Sequence, residues 1–225
     1  MASTSQGKQV KSKKRVSDHG EVYTNEHEVN AMLDLVKQET ERIDSRFLEP
    51  ACGTGNFLAE VLLRKLAVVK KRYRKNQTDF ERYAILTISS IYGIDILQDN
   101  VEECRKRLFE IFEDNYRKIF NDDCRSDYLN SVSFVLNRNI IHGDALSLKK
   151  VGLTDDPIIF SEWSLAYKGQ MKRRDFTMTT LLNNQPMNEP NLFSDLGDEA
   201  FIPRPCAKYP LQSIYKLAED VQRKL

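Results

Sequence analysis

The chain has 225 residues, with 34 lysines and arginines, 33 aspartates and glutamates, and a formal net charge of +1. Its 40% hydrophobic content is enough for a core and excludes wholesale disorder. No apolar run approaches the ~20 residues of a membrane-spanning helix, and the polar first residues do not form a secretory signal. The four cysteines contain no Cys-x-x-Cys pair, so we expect no zinc site, no disulfide framework and a cytoplasmic location.

The first residues form a basic segment. Residues 1–17 contain five closely spaced cations, which are Lys8, Lys11, Lys13, Lys14 and Arg15. We predict a flexible basic arm here, with contacts to nucleic-acid phosphates as the alternative. Apolar residues then recur at helical spacing over residues 26–42, which predicts a helix.

The next segments alternate between strands and helices. Residues 46–48 predict a short strand, a turn of small residues follows, and a helix begins at about Phe57. Further apolar runs over residues 81–96, 132–144 and 157–163 predict three more strands. This alternation predicts an α/β fold with a mainly parallel sheet in a domain spanning residues 18–164.

The remaining residues give a weaker pattern. Residues 165–225 become rich in proline and asparagine, and we predict an irregular carboxyl-terminal extension. A hairpin or edge strand over residues 168–182 is the alternative for the first part. A short helix is expected from about Leu211.

The turn at residues 49–57, Glu-Pro-Ala-Cys-Gly-Thr-Gly-Asn-Phe, is the most informative segment. The strand delivers Glu49 to the carboxyl edge of the sheet, where open α/β sheets bind ligands. Gly53 and Gly55 let the backbone turn tightly and approach a ligand. Leu58 replaces the third glycine of a dinucleotide fingerprint, and no P-loop lysine follows. An acid before the glycines suits a cationic ligand better than a pyrophosphate.

Two further acids end predicted strands. Asp95 ends the second strand, where a carboxylate can accept both hydroxyls of a ribose, and Ile96 could pack on a flat base. Asp144 ends the third strand and could accept a hydrogen bond from an exocyclic amine. Helix capping is the alternative for each acid alone, but three acids that each end a strand predict a shared ligand site.

These segments together resemble S-adenosylmethionine-dependent DNA methyltransferases of the adenine-N6 class, which occur in restriction-modification systems. Residues 20–24, Gly-Glu-Val-Tyr-Thr, look like the family's amino-terminal cofactor motif, although Asn25 stands where the family usually has proline. Residues 49–57 closely match its glycine-rich motif. Gly-Ile-Asp-Ile at 93–96 and Gly-Asp-Ala-Leu at 143–146 resemble its ribose and adenine elements, in the same order.

The resemblance implies a Rossmann-like methyltransferase sheet with flanking helices, incomplete at its carboxyl-terminal end, that binds S-adenosylmethionine and acts on DNA. Tyr23 and Thr24 would line the methionine end of the cofactor. Asp95 would hold the ribose hydroxyls, and Asp144 would accept from the adenine amine. The full set of implied cofactor residues is Tyr23, Thr24, Glu49, Gly53, Gly55, Asp95, Ile96 and Asp144.

This chain departs from the family's pattern at the catalytic element. The family has Asn/Asp/Ser-Pro-Pro-aromatic after the fourth strand, whereas this chain contains no Pro-Pro. Ser161, Glu162 and Trp163 could imitate its polar and aromatic parts. Otherwise a protein partner supplies the catalytic and target-recognition elements, or the chain is a catalytically silent protein that regulates a restriction or methylation partner.

A second basic cluster follows the fourth apolar run. Lys172, Arg173 and Arg174 stand next to one another, with aromatic residues nearby. This combination suits phosphate contacts with base stacking in DNA binding, and a solvated loop is the alternative.

Overall fold

The computed structural model describes residues 14–15, 17, 24–182 and 203–219 of the chain. Within these residues, no helix is long and apolar enough to cross a membrane. The helices are α1 (Glu26–Asp34), α2 (Lys37–Thr40), α3 (Asn56–Tyr73), α4 (Gln77–Ser89), α5 (Gln98–Phe120), α6 (Ser126–Asn139) and α7 (Met178–Leu182). The strands are β1 (Phe47–Glu49), β2 (Ile91–Asp95), β3 (Ile140–Asp144), β4 (Lys149–Lys150), β5 (Ile159–Leu165), β6 (Gln170–Thr177), β7 (Ala207–Lys208) and β8 (Gln212–Ser213).

The first sheet has the order β1-β2-β3-β4 and confirms the predicted α/β class. β1, β2 and β3 are parallel, and the short β4 runs antiparallel to β3. Glu49 lies opposite Gly93, and Asp95 lies opposite His142. The three strands therefore end at one edge of the sheet, where the predicted acids meet.

Two helices, rather than one, connect each pair of parallel strands. The predicted strands over 81–96 and 132–144 are therefore wrong in their first parts, because α4 extends to Ser89 and α6 extends to Asn139. Most residues on the inner faces of these helices are apolar and buried. Their sequences therefore resemble those of buried strands. The helix predicted over 26–42 is also interrupted, at residues 35–36.

The fourth apolar run was expected to extend the parallel sheet, and this expectation is wrong. β5 instead forms a second, antiparallel sheet with β6, and β7 and β8 also pair with β6. A three-residue turn at Tyr167–Gly169 joins β5 to β6, with Lys168 and Gly169 at positive φ. A short hairpin closes at low entropic cost, which favours it over a distant parallel partner.

The prediction of an irregular carboxyl-terminal extension is wrong for its first part, because the same hairpin occupies it. Residues 165–177 belong to β5, the turn and β6, as in the hairpin alternative. Leu211 precedes the short strand β8 rather than a helix. Residues 183–202 and 220–225, and most of the basic arm at 1–17, lie outside the described residues.

The core has two parts, one on each face of the first sheet. Leu58, Leu62 and Cys104 from the helices cover one face. On the other face, Tyr92, Ile94 and Ile141 pack against residues of the second sheet and its neighbours, which are Ile158, Phe160 and Met178. The Tyr92 hydroxyl also donates a hydrogen bond of 3.0 Å to the backbone oxygen of Ser161. The second sheet therefore covers the face that the helices leave open.

Candidate ligand cleft at the strand edge

A cleft of about 640 Å³ lies at the carboxyl ends of β1, β2 and β3. We call it the strand-edge cleft. Six residues that the sequence assigned to the cofactor line it, which are Thr24, Glu49, Gly53, Asp95, Ile96 and Asp144. The parallel strands bring these residues together, although they come from segments far apart in the chain. Tyr23 lies outside the described residues.

The glycine turn forms the floor of the cleft. Gly53 and Gly55 have positive φ angles of 52° and 83°, which side-chain-bearing residues rarely adopt. Gly55 does not line the cleft, since it faces α5, where an added Cβ would lie 2.6 Å from the Cys104 sulfur. Cys52 is buried beside the same sulfur, and its hydrogen bond with Cys104 and its burial raise the pKa of its thiol. Cys52 is therefore a packing residue rather than a nucleophile.

Asp95 fixes the turn to the second strand. Its Oδ2 accepts a hydrogen bond of 2.8 Å from the backbone N–H of Gly53. Its Oδ1 accepts from the Leu97 N–H at 2.9 Å and from the Asn100 carboxamide at 3.2 Å. Both oxygens are therefore engaged, and the residue is only 8% exposed. One lone pair on Oδ2 remains available to accept a further hydrogen bond. In this arrangement Asp95 can accept one ribose hydroxyl, whereas the sequence predicted two.

Glu49 places a half-buried carboxyl group in the cleft. Burial raises the pKa of Glu49, and a hydrogen bond from the backbone of Ala51 opposes this shift. A positively charged ligand group beside this carboxyl would favour its charged form and oppose the upward shift of its pKa, because opposite charges favour ionisation. The cleft therefore has a site whose charge would respond to a cation.

Asp144 and two apolar side chains form the opposite wall. The Asp144 carboxylate accepts a hydrogen bond of 2.9 Å from the Leu146 N–H, and bonds from Leu146 and Ser147 lower its pKa. Ile96 is 48% exposed and Leu146 is 96% exposed, although both are apolar. Exposed apolar groups beside a charged acceptor suit a flat heterocycle that carries an amine.

Sequence reasoning missed several residues of the cleft. Asn56 donates a hydrogen bond of 3.3 Å to the Thr24 backbone oxygen and accepts one from Arg107, so it joins Thr24 to α3 and α5. Asn100 supports Asp95 as described above. Its position in the first turn of the helix after Asp95 was a signal that could have identified it. Leu146 also lines the cleft and belongs to the 143–146 segment, although it was not assigned to the cofactor individually. Met32 lines it too, and no sequence signal separated Met32 from core residues.

The predicted catalytic residues do not line the strand-edge cleft. Ser161 is buried, and its hydroxyl donates to Asp175 at 2.7 Å. Trp163 is buried and donates from its indole to the Asn139 side chain at 3.1 Å. Glu162 pairs with Arg46 at 2.7 Å and with Arg174. Their assignment as a catalytic element is therefore not supported by their positions, because β5 belongs to the second sheet.

The basic cluster on β6 is split by the alternation of the strand. Lys172 is exposed, whereas Arg173 is only 7% exposed and donates two hydrogen bonds to the buried Asp175. The Arg173 guanidinium also lies 4.0 Å from the centre of the Tyr209 ring. Arg174 donates to Glu162 at 2.7 Å. Arg173 therefore packs within the second sheet, Arg174 is paired with Glu162, and Lys172 is the only one of the three that is exposed to solvent.

Comparison with protein-family models, with curated proteins and with solved structures finds no match to this chain.

Proposed function

We propose that this chain binds S-adenosylmethionine in the strand-edge cleft and acts as a DNA adenine-N6 methyltransferase, or as the cofactor-binding subunit of a split one, in a restriction-modification context. One observation carries the proposal. Residues of four sequence segments that resemble cofactor motifs converge on a single cleft. The parallel order of β1, β2 and β3, with a cleft at their carboxyl ends, also agrees with part of a Rossmann-like sheet, although a second sheet covers the face that carries further helices in a doubly wound fold.

The charge and shape of the cleft support the cofactor assignment. Glu49 and Asp144 give the cleft two carboxylates, which suit an ammonium and an adenine amine as ligand groups. Ile96 and Leu146 offer apolar surface for the purine ring. The backbone N–H groups of Gly53 and Gly55 are already donated to Asp95 and to the Cys52 carbonyl, so the glycine turn contributes close backbone approach rather than free donors. The residues present therefore fit both the polar and the aromatic parts of S-adenosylmethionine.

Methyl transfer asks little acid-base chemistry of the protein, because the sulfonium of the cofactor is a strong leaving group. The protein must align the amine, the methyl group and the sulfur. In the described part of the chain, the residues predicted to hold the amine lie in the second sheet and away from the cleft. This placement favours the split enzyme over a chain that is active alone.

The second candidate function is a catalytically silent protein that binds and regulates a restriction or methylation partner. The position of Ser161 and Trp163 in the second sheet, away from the cleft, also favours this silent protein. Transfer of a labelled methyl group to DNA separates the candidates. Activity that needs a partner with a Pro-Pro-aromatic segment supports the split enzyme. Cofactor binding without transfer in the presence of that partner supports the silent protein.

A calorimetric titration tests the cofactor assignment. We expect S-adenosylmethionine to bind the folded chain, and Asp144→Ala to weaken binding about tenfold because a charged acceptor for the adenine amine is lost. Asp155→Ala is the matched control, since Asp155 is exposed and pairs with Lys149 outside the cleft. Folded wild-type protein that gives no heat of binding would refute the assignment.

The affinity for S-adenosylmethionine is expected to rise as the pH increases above the ordinary pKa of a glutamate, about 4.3. Glu49 has a raised pKa in the free protein, and a cationic ligand stabilises its charged form. Binding at low pH must therefore release a proton, and this cost disappears once Glu49 is ionised. Dissociation constants measured across this range check the prediction. Glu49→Gln should flatten the profile, and a profile that is steepest in this variant would contradict the role of Glu49.

A further inference from the structure

Arg15 joins the basic arm to the rim of the strand-edge cleft. It lies in the part of residues 1–17 that the structure describes. Its Nη1 donates a hydrogen bond to Asp99 Oδ2 at 2.6 Å, and its Nη2 donates to Asp99 Oδ1 at 3.2 Å and to Asn100 Oδ1 at 3.1 Å. Both acceptor residues lie in the first turn of α5, and Asn100 lines the cleft. Arg15 is therefore docked on the end of α5 that borders the cleft.

The hydrogen bond to Asn100 distinguishes this contact from an ordinary surface ion pair. An isolated pair on the surface contributes little to stability, because water and salt screen it. Here the Arg15 side chain is 24% exposed and Asn100 is 1% exposed, so their hydrogen bond is partly buried. A guanidinium that binds a carboxylate through two nitrogens also has a defined orientation. Arg15 can therefore restrain the Asn100 carboxamide.

The Asn100 carboxamide passes this restraint to the ligand site. Its Nδ2 donates to Asp95 Oδ1 at 3.2 Å, and Asp95 Oδ2 accepts from the Gly53 N–H at 2.8 Å. A reversed carboxamide would turn its NH₂ group toward Arg15 and its oxygen toward the Asp95 carboxylate, and both contacts would be repulsive. A continuous series of hydrogen bonds therefore runs from Arg15 through Asn100 and Asp95 to the glycine turn.

We infer that Arg15 is a positioning residue for the strand-edge cleft, and that the docking of Arg15 on α5 and the binding of the cofactor strengthen each other. The inference rests on the proposed function and deepens it by assigning a regulatory contact to the same site. Arg15 acts through Asn100 on Asp95, the carboxylate that would hold the ribose. Two equilibria that are coupled in this way change each other by the same factor.

Calorimetry with S-adenosylmethionine measures the effect of Arg15 on the cleft. We expect Arg15→Ala to weaken binding about fivefold to tenfold, because Asn100 and Asp95 lose a restraint on their orientation. Charge alone predicts the opposite, since loss of a cation favours a ligand with a net positive charge. Arg15→Lys keeps the charge but lacks the planar fork, and should bind with intermediate affinity.

Arg117→Ala is the matched control for the loss of an ion pair. Arg117 pairs with Glu113 at 2.7 Å near the far end of the same helix, α5. Its removal should leave the affinity for S-adenosylmethionine unchanged, because neither residue lines the cleft. A folded Arg15→Ala variant that binds the cofactor as tightly as Arg117→Ala would overturn the inference.

An arginine-specific protease measures the reverse effect. Such a protease binds the arginine side chain in its own pocket, so cleavage after Arg15 requires release of the guanidinium from Asp99. When release and docking are fast relative to cleavage, the cleavage rate follows the released fraction. We expect saturating S-adenosylmethionine to slow this cleavage by the factor by which Arg15→Ala weakens binding. Asp99→Ala should speed the cleavage without ligand, and a rate that the cofactor leaves unchanged would overturn the coupling.

Double-mutant cycles test the route through Asn100. In an Asn100→Ala background, Arg15→Ala should change the affinity by less than about twofold, because the connecting carboxamide is already absent. An undiminished effect in that background would overturn the route.

Urea unfolding separates failure of the inference from failure of the proposed function. Wild-type protein that gives no heat with S-adenosylmethionine would refute the proposed function. Non-additive effects of Arg15→Ala and Asp95→Asn on the free energy of unfolding would still support the series of hydrogen bonds from Arg15 to the cleft. Additive effects would overturn that series, whether or not the cofactor binds.

Discussion

Asp95→Ala is expected to abolish binding of S-adenosylmethionine under conditions that saturate the wild type. The Asp95 carboxylate accepts hydrogen bonds from the Gly53 N–H, the Leu97 N–H and the Asn100 side chain. Alanine leaves these three donors without their acceptor, at about 1–3 kcal/mol for each donor that stays buried. The glycine turn then loses its attachment to β2. We expect affinity to fall about 100-fold or more, measured by calorimetry.

Two further variants separate loss of the site from loss of the fold. Asp95→Asn retains one acceptor oxygen and should bind more weakly than wild type but more tightly than Asp95→Ala. Asp122→Ala removes an exposed carboxylate just beyond the far end of α5 and should change nothing. Circular dichroism and thermal unfolding show whether each variant is folded. Folded Asp95→Ala that binds the cofactor as tightly as wild type would exclude Asp95 from the site.

Lys65→Ala is expected to cause the largest loss of stability. Lys65 is fully buried on α3, and its ammonium nitrogen donates to the backbone oxygens of Ile43 and Ser45 and, at 2.7 Å, to the Ser90 hydroxyl. It thus joins α3 to the segments that precede β1 and β2. Alanine leaves these acceptors unsatisfied and opens a cavity. We expect a loss of about 3–5 kcal/mol in the free energy of unfolding, measured in urea.

Lys65→Met separates the hydrogen bonds from the volume of the side chain. It preserves most of the packing and should cost less than Lys65→Ala. Lys71→Ala is the control on the same helix, since Lys71 is exposed, and should change stability by no more than about 0.5 kcal/mol. Equal stability of Lys65→Ala and Lys71→Ala would show that the buried contacts of Lys65 contribute nothing.

The stability of the wild type relative to Lys65→Met should depend on pH. Burial lowers the pKa of Lys65 from 10.5 to about 7. Between these values the unfolded chain binds a proton that the folded chain does not, so the free energy of unfolding rises with pH. Below about pH 7 both states are protonated and the contribution is constant. Urea unfolding of both proteins across this window checks the direction.

The local features of the candidate site were predictable from the sequence. A strand, two glycines and a helix in succession have few alternative structures, and the glycines occupy the positive φ angles that the pattern requires. The strands do end at Asp95 and Asp144, as predicted. These predictions depended on neighbours in the chain, which the sequence displays directly.

The predictions that failed depended on long-range choices. The apolar residues of α4 and α6 look like strands in the sequence because a helix buried on several sides has no clear polar face. β5 carries a run suited to a parallel sheet, but it pairs with β6 across a short turn, which closes at a lower entropic cost than a pairing with a distant strand. The roles expected of Ser161, Trp163 and Arg173 changed with that partner, because the second sheet buries all three.

The sequence by itself determined the glycine turn, the acid at the end of each parallel strand, and the α/β class, because these follow from local backbone preferences and the alternation of elements. Only the tertiary structure decided that the acids share one cleft, that Asp95 uses most of its hydrogen-bonding capacity within the protein, and that β5 pairs with β6 and not with the first sheet. Those outcomes depend on which strands pair and which faces are covered. Strand pairing and burial depend on contacts between residues that are far apart in the chain. A local sequence pattern does not show which of these contacts form.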